Sequence, residues 1–363
     1  MNRIIVNGVL ELINTLARIF FIFILISRIV SCSEKKNVES LPKQQESFIE
    51  YPILEEGNIE ALDSTLWSII SRDAKIEVIA QGHEWTEGPL WIASENMLLY
   101  SDIPRNAIYV WKEGEKATLY LKPSGYLGEN FTGTEPGSNG LILDKNGSLV
   151  LCQHGERQVA KMISPIEDPD TLFISLIDQY NGKRLNSPND AVYKSNGDLY
   201  FTDPPYGLPQ RMEDPEKELT FQGVYRLDED GNITLLTDEL TRPNGIAFSP
   251  DEKTLYIANS DPAMAIWKAF DVNKNGNIGN GRIFFDATSM VPDEKGLPDG
   301  LKVDNDGNLF AAGPGGVLIF SPNGELLGKI RTGQATSNCA FNTDKSILYI
   351  TADSYVLRVR LHG

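Results

Sequence analysis

The stretch NGDLYFTD, residues 196–203, decides the fold, because its pattern recurs along the chain. It reads as a tight polar turn followed by a short apolar strand with a polar end. ENMLLYSD (95–102), NGSLVLCQ (146–153), EKTLYIAN (252–259), DGNLFAAG (306–313) and DKSILYIT (344–351) align on it. The alignment puts Leu98, Leu149, Leu199, Leu255, Leu309 and Leu348 in register, 51, 50, 56, 54 and 39 residues apart. Short alternating runs broken by Gly, Asn, Asp and Pro are strands, and no long amphipathic helical pattern interrupts them. A β-repeat of about fifty residues predicts a propeller with one four-stranded sheet per blade. The expected fold is therefore all-β, a six-bladed β-propeller.

The flanking runs fill in each blade. LILD, IAFS and LKVD read as first strands, AIYVWK, GVYRL and AIWKAF as third strands, and TLYLK, ITLLTD and RIFFD as fourth strands. The last repeat lacks its fourth strand. KIEVIAQ (75–81) has that character, so an N-terminal strand is expected to join the last blade and close the ring. A two-sheet sandwich is the alternative for so many strands, and the regular sixfold register disfavours it.

A second register lies on the first. Ten or eleven residues before each leucine stands a polar turn: WTEGP at Glu87, GSNG at Asn139, SPND at Asn189, RPNG at Asn244, LPDG at Asp299 and TSNC at Asn338. First strands line the channel of a propeller, so all six turns meet at one mouth. The second strand runs antiparallel and ends at the same mouth. Residues four or five past each leucine, among them Asp102, His154, Asp203, Asn259 and Asp353, therefore form an outer set. Glu87, Asn189, Asn244 and Asp299 offer two carboxylates and two amide oxygens, a donor set for a hard cation such as calcium. Zinc would recruit His or Cys, and only His154 is close in register. Taken singly, Asn-Gly, Asp-Gly and Pro-Asn are ordinary turn formers. Glu87 is not a favoured turn residue, and its place in the ring argues for a shared site.

Composition bounds the partners. The 33 basic and 50 acidic residues give a net charge of −17, which disfavours nucleic acid and anionic membrane surfaces. At the N-terminus, Arg3 and Arg18 precede the apolar run IFFIFILIS (19–27), then Ile29-Val30-Ser31-Cys32 and the polar SEKKN. This reads as a secretory signal over 1–32 of the bacterial lipoprotein type, with lipid on Cys32. An uncleaved anchor or ordinary signal peptide is the alternative. Residues 33–72 read as polar tether and lead-in, and 73–363 as the propeller. The expected location is exported, periplasmic or membrane-anchored, with the membrane touched only through the N-terminus. Cys152 and Cys339 are expected as buried free thiols.

EGPLW (87–91), SNGLILD (138–144), LNSPND (185–190), LYFTDPPYG (199–207), RPNGIAFSPD (242–251) and LPDGLKVD (297–304) together resemble the senescence marker protein/gluconolactonase/luciferin-regenerating family. The resemblance covers roughly residues 77–360. It implies a lactone-hydrolysing propeller with one catalytic divalent metal, most simply Ca2+, with Zn2+, Mn2+ or Mg2+ as alternatives. Carried over, the metal ligands are Glu87, Asn189, Asn244 and Asp299, with Asp299 also the catalytic carboxylate. Animal members place an Arg two residues before the SPND-type Asn; here that residue is Ser187, and the nearest Arg is Arg184. Candidates for contacts to a sugar lactone are Asn139, His154, Arg184, Asn186, Asp203, Tyr206 and Asn259. His154 could equally be a turn histidine bonded to backbone, and Asp102 and Asp353 are expected to fix blade turns. A non-enzymatic carbohydrate- or protein-binding propeller with structural calcium, or a hydrolase of another ester such as a phosphotriester, remain the competing readings.

Overall fold

The computed structural model describes residues 49–362. The proposed signal, Cys32 and residues 33–48 of the tether lie outside them. Six antiparallel sheets, five of four strands and one of five, follow one another along the chain. Blade 1 is built from Thr86–Ile92, Met97–Asp102, Ala107–Lys112 and Thr118–Leu121, and blade 2 from Ser138–Leu143, Leu149–Gln153, Gln158–Met162 and Phe173–Ile177. Blade 3 takes Ala191–Tyr193, Leu199–Asp203, Gly223–Leu227 and Ile233–Thr237, and blade 4 takes Pro243–Phe248, Thr254–Asp261, Met264–Val272 and Ile278–Asp286. Leu301–Val303, Leu309–Gly313, Gly316–Phe320 and Leu326–Arg331 form blade 5. Blade 6 has Thr336–Phe341, Ile347–Ala352 and Tyr355–Arg360, and Ile76–Gln81 pairs with the last of these as its fourth strand. The ring is closed by that N-terminal strand, as the sequence predicts.

The six aligned leucines have a common job. Successive residues of a strand face opposite sides of the sheet, so each second strand feeds two inter-blade interfaces. Leu98 packs with Ile79 and Tyr349 between blades 6 and 1, while its neighbour Leu99 packs with Leu149 between blades 1 and 2. Leu199 lies with Cys152 between blades 2 and 3, and Leu255 with Tyr200 between blades 3 and 4. Leu309 joins Trp267 between blades 4 and 5, and Leu348 joins Phe310 between blades 5 and 6. One leucine seals each interface, which is why the register counts blades. Cys152 and Cys339 are buried free thiols within two of these interfaces.

The lead-in does more than tether. Asn58–Ala61 pairs antiparallel with Leu326–Arg331, adding a fifth strand to blade 5. A short 3-10 turn, Ser64–Ser68, follows, capped by Asp63, whose side chain accepts from the Thr65 N–H at 2.7 Å. It drops Leu66, fully buried, between blades 5 and 6. A four-residue polar-apolar segment, NIEA, carries too little pattern to be read as a strand in isolation.

Candidate active site

The starts of the first strands lie opposite the ends of the second strands. Thr86 pairs with Asp102, Ser138 with Gln153, Pro243 with Asn259 and Thr336 with Ala352. Four of the six first strands carry a bulge at the mouth residue, where the register shifts between Glu87 and Leu90, Ser138 and Leu141, Pro243 and Ile246, and Thr336 and Asn338. In blades 3 and 5 the ladder begins only at Ala191 and Leu301, past Asn189 and Asp299. A bulge re-aims a side chain that regular pleating would send into the sheet interface. Asn139, Asn189, Asn244 and Asp299 are thereby free of the ladder, while Glu87 and Asn338 stand at the edge of the shift and still pair with Ser101 and Thr351.

Glycine follows four of them for a steric reason. A Cβ at Gly88 would sit 2.0 Å from the Asn139 carbonyl oxygen, and one at Gly245 would sit 2.3 Å from the Asp299 carbonyl oxygen. The turns can abut only where no side chain stands between them. Polar bonds then lace blade to blade. Ser101 Oγ donates to the Asn139 carbonyl at 2.9 Å, and Gly140 N–H to the Asn189 carbonyl at 2.8 Å. Thr202 Oγ1 donates to the Asn244 carbonyl at 2.7 Å, and Ser337 Oγ to the Thr86 carbonyl at 2.7 Å.

Above the turns lies a cavity of about 460 Å³ whose lining includes Glu87, Asn139, Asn189, Asn244, Asp299 and Tyr206. Glu87 is 2 % exposed and Asn244 4 %. Oδ1 of Asn139, Asn244 and Asp299 is buried with no hydrogen-bond partner among the described residues. Oxygens so placed are costly unless something binds them. The donor chemistry and these unpaired oxygens fit a hard divalent cation. Among the described residues no three His, Cys, Asp or Glu side chains cluster for a metal, so the site rests on two carboxylates completed by amides.

Burial raises the Glu87 carboxyl to about 7, against the pull of the Gly88 N–H at 2.8 Å and the Asn338 amide at 3.1 Å, both donating to Oε2. Asp299 is raised well above the usual carboxylate range, first by burial and then by the charges of Glu87 and Asp190. Asn338 thus supports Glu87 rather than lining the cavity. Its Oδ1 accepts from Cys339 N–H at 2.9 Å and faces Lys302 Nζ at 3.4 Å.

The outer set turns out to be a brace, which corrects two expected substrate contacts. Asp203 is fully buried and accepts from the N–H groups of Asn186 and Ser187 at 2.8 and 2.7 Å, holding the SPND turn. Asn259 Oδ1 accepts from Arg242 N–H at 2.8 Å, and its amide donates to the Met264 carbonyl, holding RPNG. Asp102 likewise accepts from Glu84 and Trp85 N–H beneath WTEGP. None of the three lines the cavity. Two further expectations are corrected. The Asn186 side-chain amide is spent on the carbonyls of Asp203 and Phe221. Arg184 is exposed, and its guanidinium bonds the Glu156 carbonyl away from the cavity. His154 is fully buried behind the wall, 3.3 Å from Glu135 Oε2 without hydrogen-bond alignment. Glu135 does line the cavity, so His154 reaches it only at one remove.

Sequence reasoning missed the rim. Trp85, Arg242, Leu297 and Thr336 line the cavity, each two residues before a mouth residue. The signal was available, since a spacing of two keeps residues on one face of an extended chain. Ser187 occupies the same step in blade 3 but is buried, accepting from Gly207 N–H at 2.7 Å. Glu135 and Arg211, paired at 3.2 Å, come from two separate connections, one between blades 1 and 2 and one within blade 3, neither with a repeat signature.

Residues 85–354 match the SMP-30/Gluconolactonase/LRE-like region. The chain is 41% identical over 312 residues to a gluconolactonase of Zymomonas mobilis, covering 84% of this chain and 86% of that protein. Among solved structures it is similar to a gluconolactonase of Xanthomonas campestris, with TM-score 0.74 and 30% identity over 86% of this chain and 98% of the other. A calcium-binding regucalcin from Agrobacterium tumefaciens shares the fold at TM-score 0.61 and 17% identity, over 79% of this chain and 94% of the other.

Proposed function

The chain belongs to the SMP-30/gluconolactonase/LRE-like family, and on that premise we propose how it acts as a lactonase, opening a sugar lactone to its aldonic acid. The observation that carries the reading is the meeting of two buried carboxylates and unpaired amide oxygens on the floor of one cavity. Glu87, Asn189, Asn244 and Asp299 would hold a divalent cation, for which the all-oxygen donor set favours Ca2+. When bound, the cation supplies Lewis-acid polarisation of the lactone carbonyl.

The chain's own residues do the rest. Asp299 holds the attacking water and accepts its proton as the water oxygen bonds to the carbonyl carbon. The ring C–O bond then breaks, and that proton goes to the departing ring oxygen. Asp299 is fixed from behind by its N–H, which donates to the Ala312 carbonyl at 2.9 Å, so little reorganisation is needed during the reaction. Asn338 and Gly88 N–H orient Glu87 through Oε2. Asn139 and Tyr206, both lining the cavity, bind the sugar.

The test is base consumption in a pH-stat on glucono-1,5-lactone, above the spontaneous rate, with calcium, manganese or zinc and with chelator. Asp299→Asn and Glu87→Gln should each abolish metal-dependent turnover while the circular dichroism of the sheet persists. Full turnover in both variants sinks the assignment. For the N-terminus we propose export with lipidation on Cys32, which Cys32→Ser should abolish in a membrane fractionation; unchanged membrane association refutes it.

A further inference from the structure

The cavity wall carries two arginines in different states. Arg211 is half exposed at the rim, paired with Glu135 at 3.2 Å and lying over the Tyr206 ring at 5.7 Å. Arg242 lines the same cavity with its side chain in no ion pair or hydrogen bond among the described residues. The neighbouring acid Glu294 does not serve it, being taken by Arg331 at 2.8 and 3.0 Å and by Lys329 at 3.4 Å. Asp261 is committed to Thr241 Oγ1 at 2.7 Å and Ala263 N–H at 3.0 Å.

The backbone of Arg242 is nonetheless fixed. Its N–H donates to Asn259 Oδ1 at 2.8 Å, and its carbonyl accepts from Ser260 N–H at 2.9 Å. Pro243 follows, restricting the residue before it to extended conformations. A guanidinium carried on this fixed backbone, two residues from Asn244 and unspent on the protein, is available to a ligand in the cavity. Its planar fork suits two adjacent oxygens.

We propose that Arg242 is the specificity-determining residue of this cavity, gripping adjacent hydroxyls of the sugar lactone away from the reacting carbonyl. The proposal rests on the lactonase reading and names its substrate class as polyhydroxylated lactones. The floor presents oxygen acceptors to a cation, whereas Arg242 supplies donors to hydroxyls that an unsubstituted lactone lacks. Arg242 is partly buried, and a bound sugar would shut its guanidinium from water, so a lactone that leaves it unpaired is discriminated against.

The experiment compares glucono-1,5-lactone with δ-valerolactone, the same ring without hydroxyls, in calcium-loaded wild type, Arg242→Met and Arg242→Gln. Gluconate and 5-hydroxypentanoate, the two products, are titrated by calorimetry in parallel. The expected result is a loss of about 10- to 100-fold in kcat/KM for gluconolactone and in gluconate affinity, with valerolactone turnover unchanged. Equal losses on both lactones, or none on either, overturn the proposal. Wild type that turns over neither lactone yet binds gluconate through Arg242 refutes the lactonase reading and keeps the subsite. Turnover with gluconate binding indifferent to Arg242 refutes the subsite and keeps the lactonase. Failure of both turnover and gluconate binding in wild type overturns both.

Discussion

In the presence of chelator, raising the pH should destabilise this propeller, by an amount that Glu87 sets. Burial lifts its carboxyl from 4.5 to about 7. At about 1.4 kcal/mol for each tenfold step, that rise of 2.5 corresponds to about 3 kcal/mol. The sign follows from proton counting. The folded state binds the Glu87 proton more tightly than the unfolded chain, so this contribution is fully present below pH 4.5 and is lost as pH rises through 7. Chelated wild type should therefore lose about 3 kcal/mol of unfolding free energy between pH 4.5 and 8 on this account, the proton being shared with Asp299. A bound cation exchanges with that proton, so the apparent dissociation constant should fall about tenfold per pH step below 7. Urea unfolding in chelator across the pH range measures the first effect, and calorimetric metal titration in two buffers measures the second. Glu87→Gln should flatten the chelated profile and be the more stable protein at pH 8, while losing metal affinity. Identical pH slopes in wild type and Glu87→Gln would refute the reasoning.

Asn338→Leu removes the amide that donates to Glu87 Oε2 at 3.1 Å; metal affinity should fall about 10- to 100-fold with the fold intact, by titration. Leu66→Ala, at a fully buried position between blades 5 and 6, should cost about 2–5 kcal/mol in urea unfolding and leave kcat unchanged. Asp203→Ala deletes the acceptor of two N–H groups in the SPND turn; it should cost about 1.5–3 kcal/mol of stability, and a variant as stable as wild type contradicts the bracing role.

The fold was legible because one residue per repeat carries it. Leu98, Leu149, Leu199, Leu255, Leu309 and Leu348 each seal an inter-blade interface, so spacing alone counts the blades. Ring closure was legible from KIEVIAQ for the same reason, an apolar alternation left without a repeat. The strand Asn58–Ala61 was not, since it docks on an existing edge by backbone bonds to Leu326–Arg331 and needs no strong pattern of its own. In the site, positions on the mouth turns were readable and the roles of their neighbours were not. Arg184, one residue short of LNSPND, runs along the outside of a two-residue hairpin, Gln179–Tyr180 with Lys183–Arg184, whose direction no local pattern encodes. Arg242, two residues before its mouth residue where Arg184 stands five before Asn189, lines the cavity, its backbone held by Asn259 and Pro243.

The carboxylates show why composition overstates the chemistry at such a mouth. Asp102, Asp203 and Asp299 stand within the same two rings, and residue type does not separate them; Asp102 and Asp203 are fully buried and Asp299 partly so. What separates them is whether their oxygens are already spent. Asp102 accepts from two backbone N–H groups and the His83 ring, and Asp203 from two backbone N–H groups, so each closes a turn and has nothing left to offer a ligand. Asp299 keeps an unpaired Oδ1 on the cavity floor. The difference arises one blade at a time. In blades 1 and 3 the acid ends the second strand and meets the turn from behind, whereas in blade 5 that position is Gly313 and the acid sits in the turn itself. A sixfold frame therefore yields a one-sided site: the blades that spend their acids as braces hold the turns still, and the carboxylates of Glu87 and Asp299 on the cavity floor gain a fixed geometry from that rigidity.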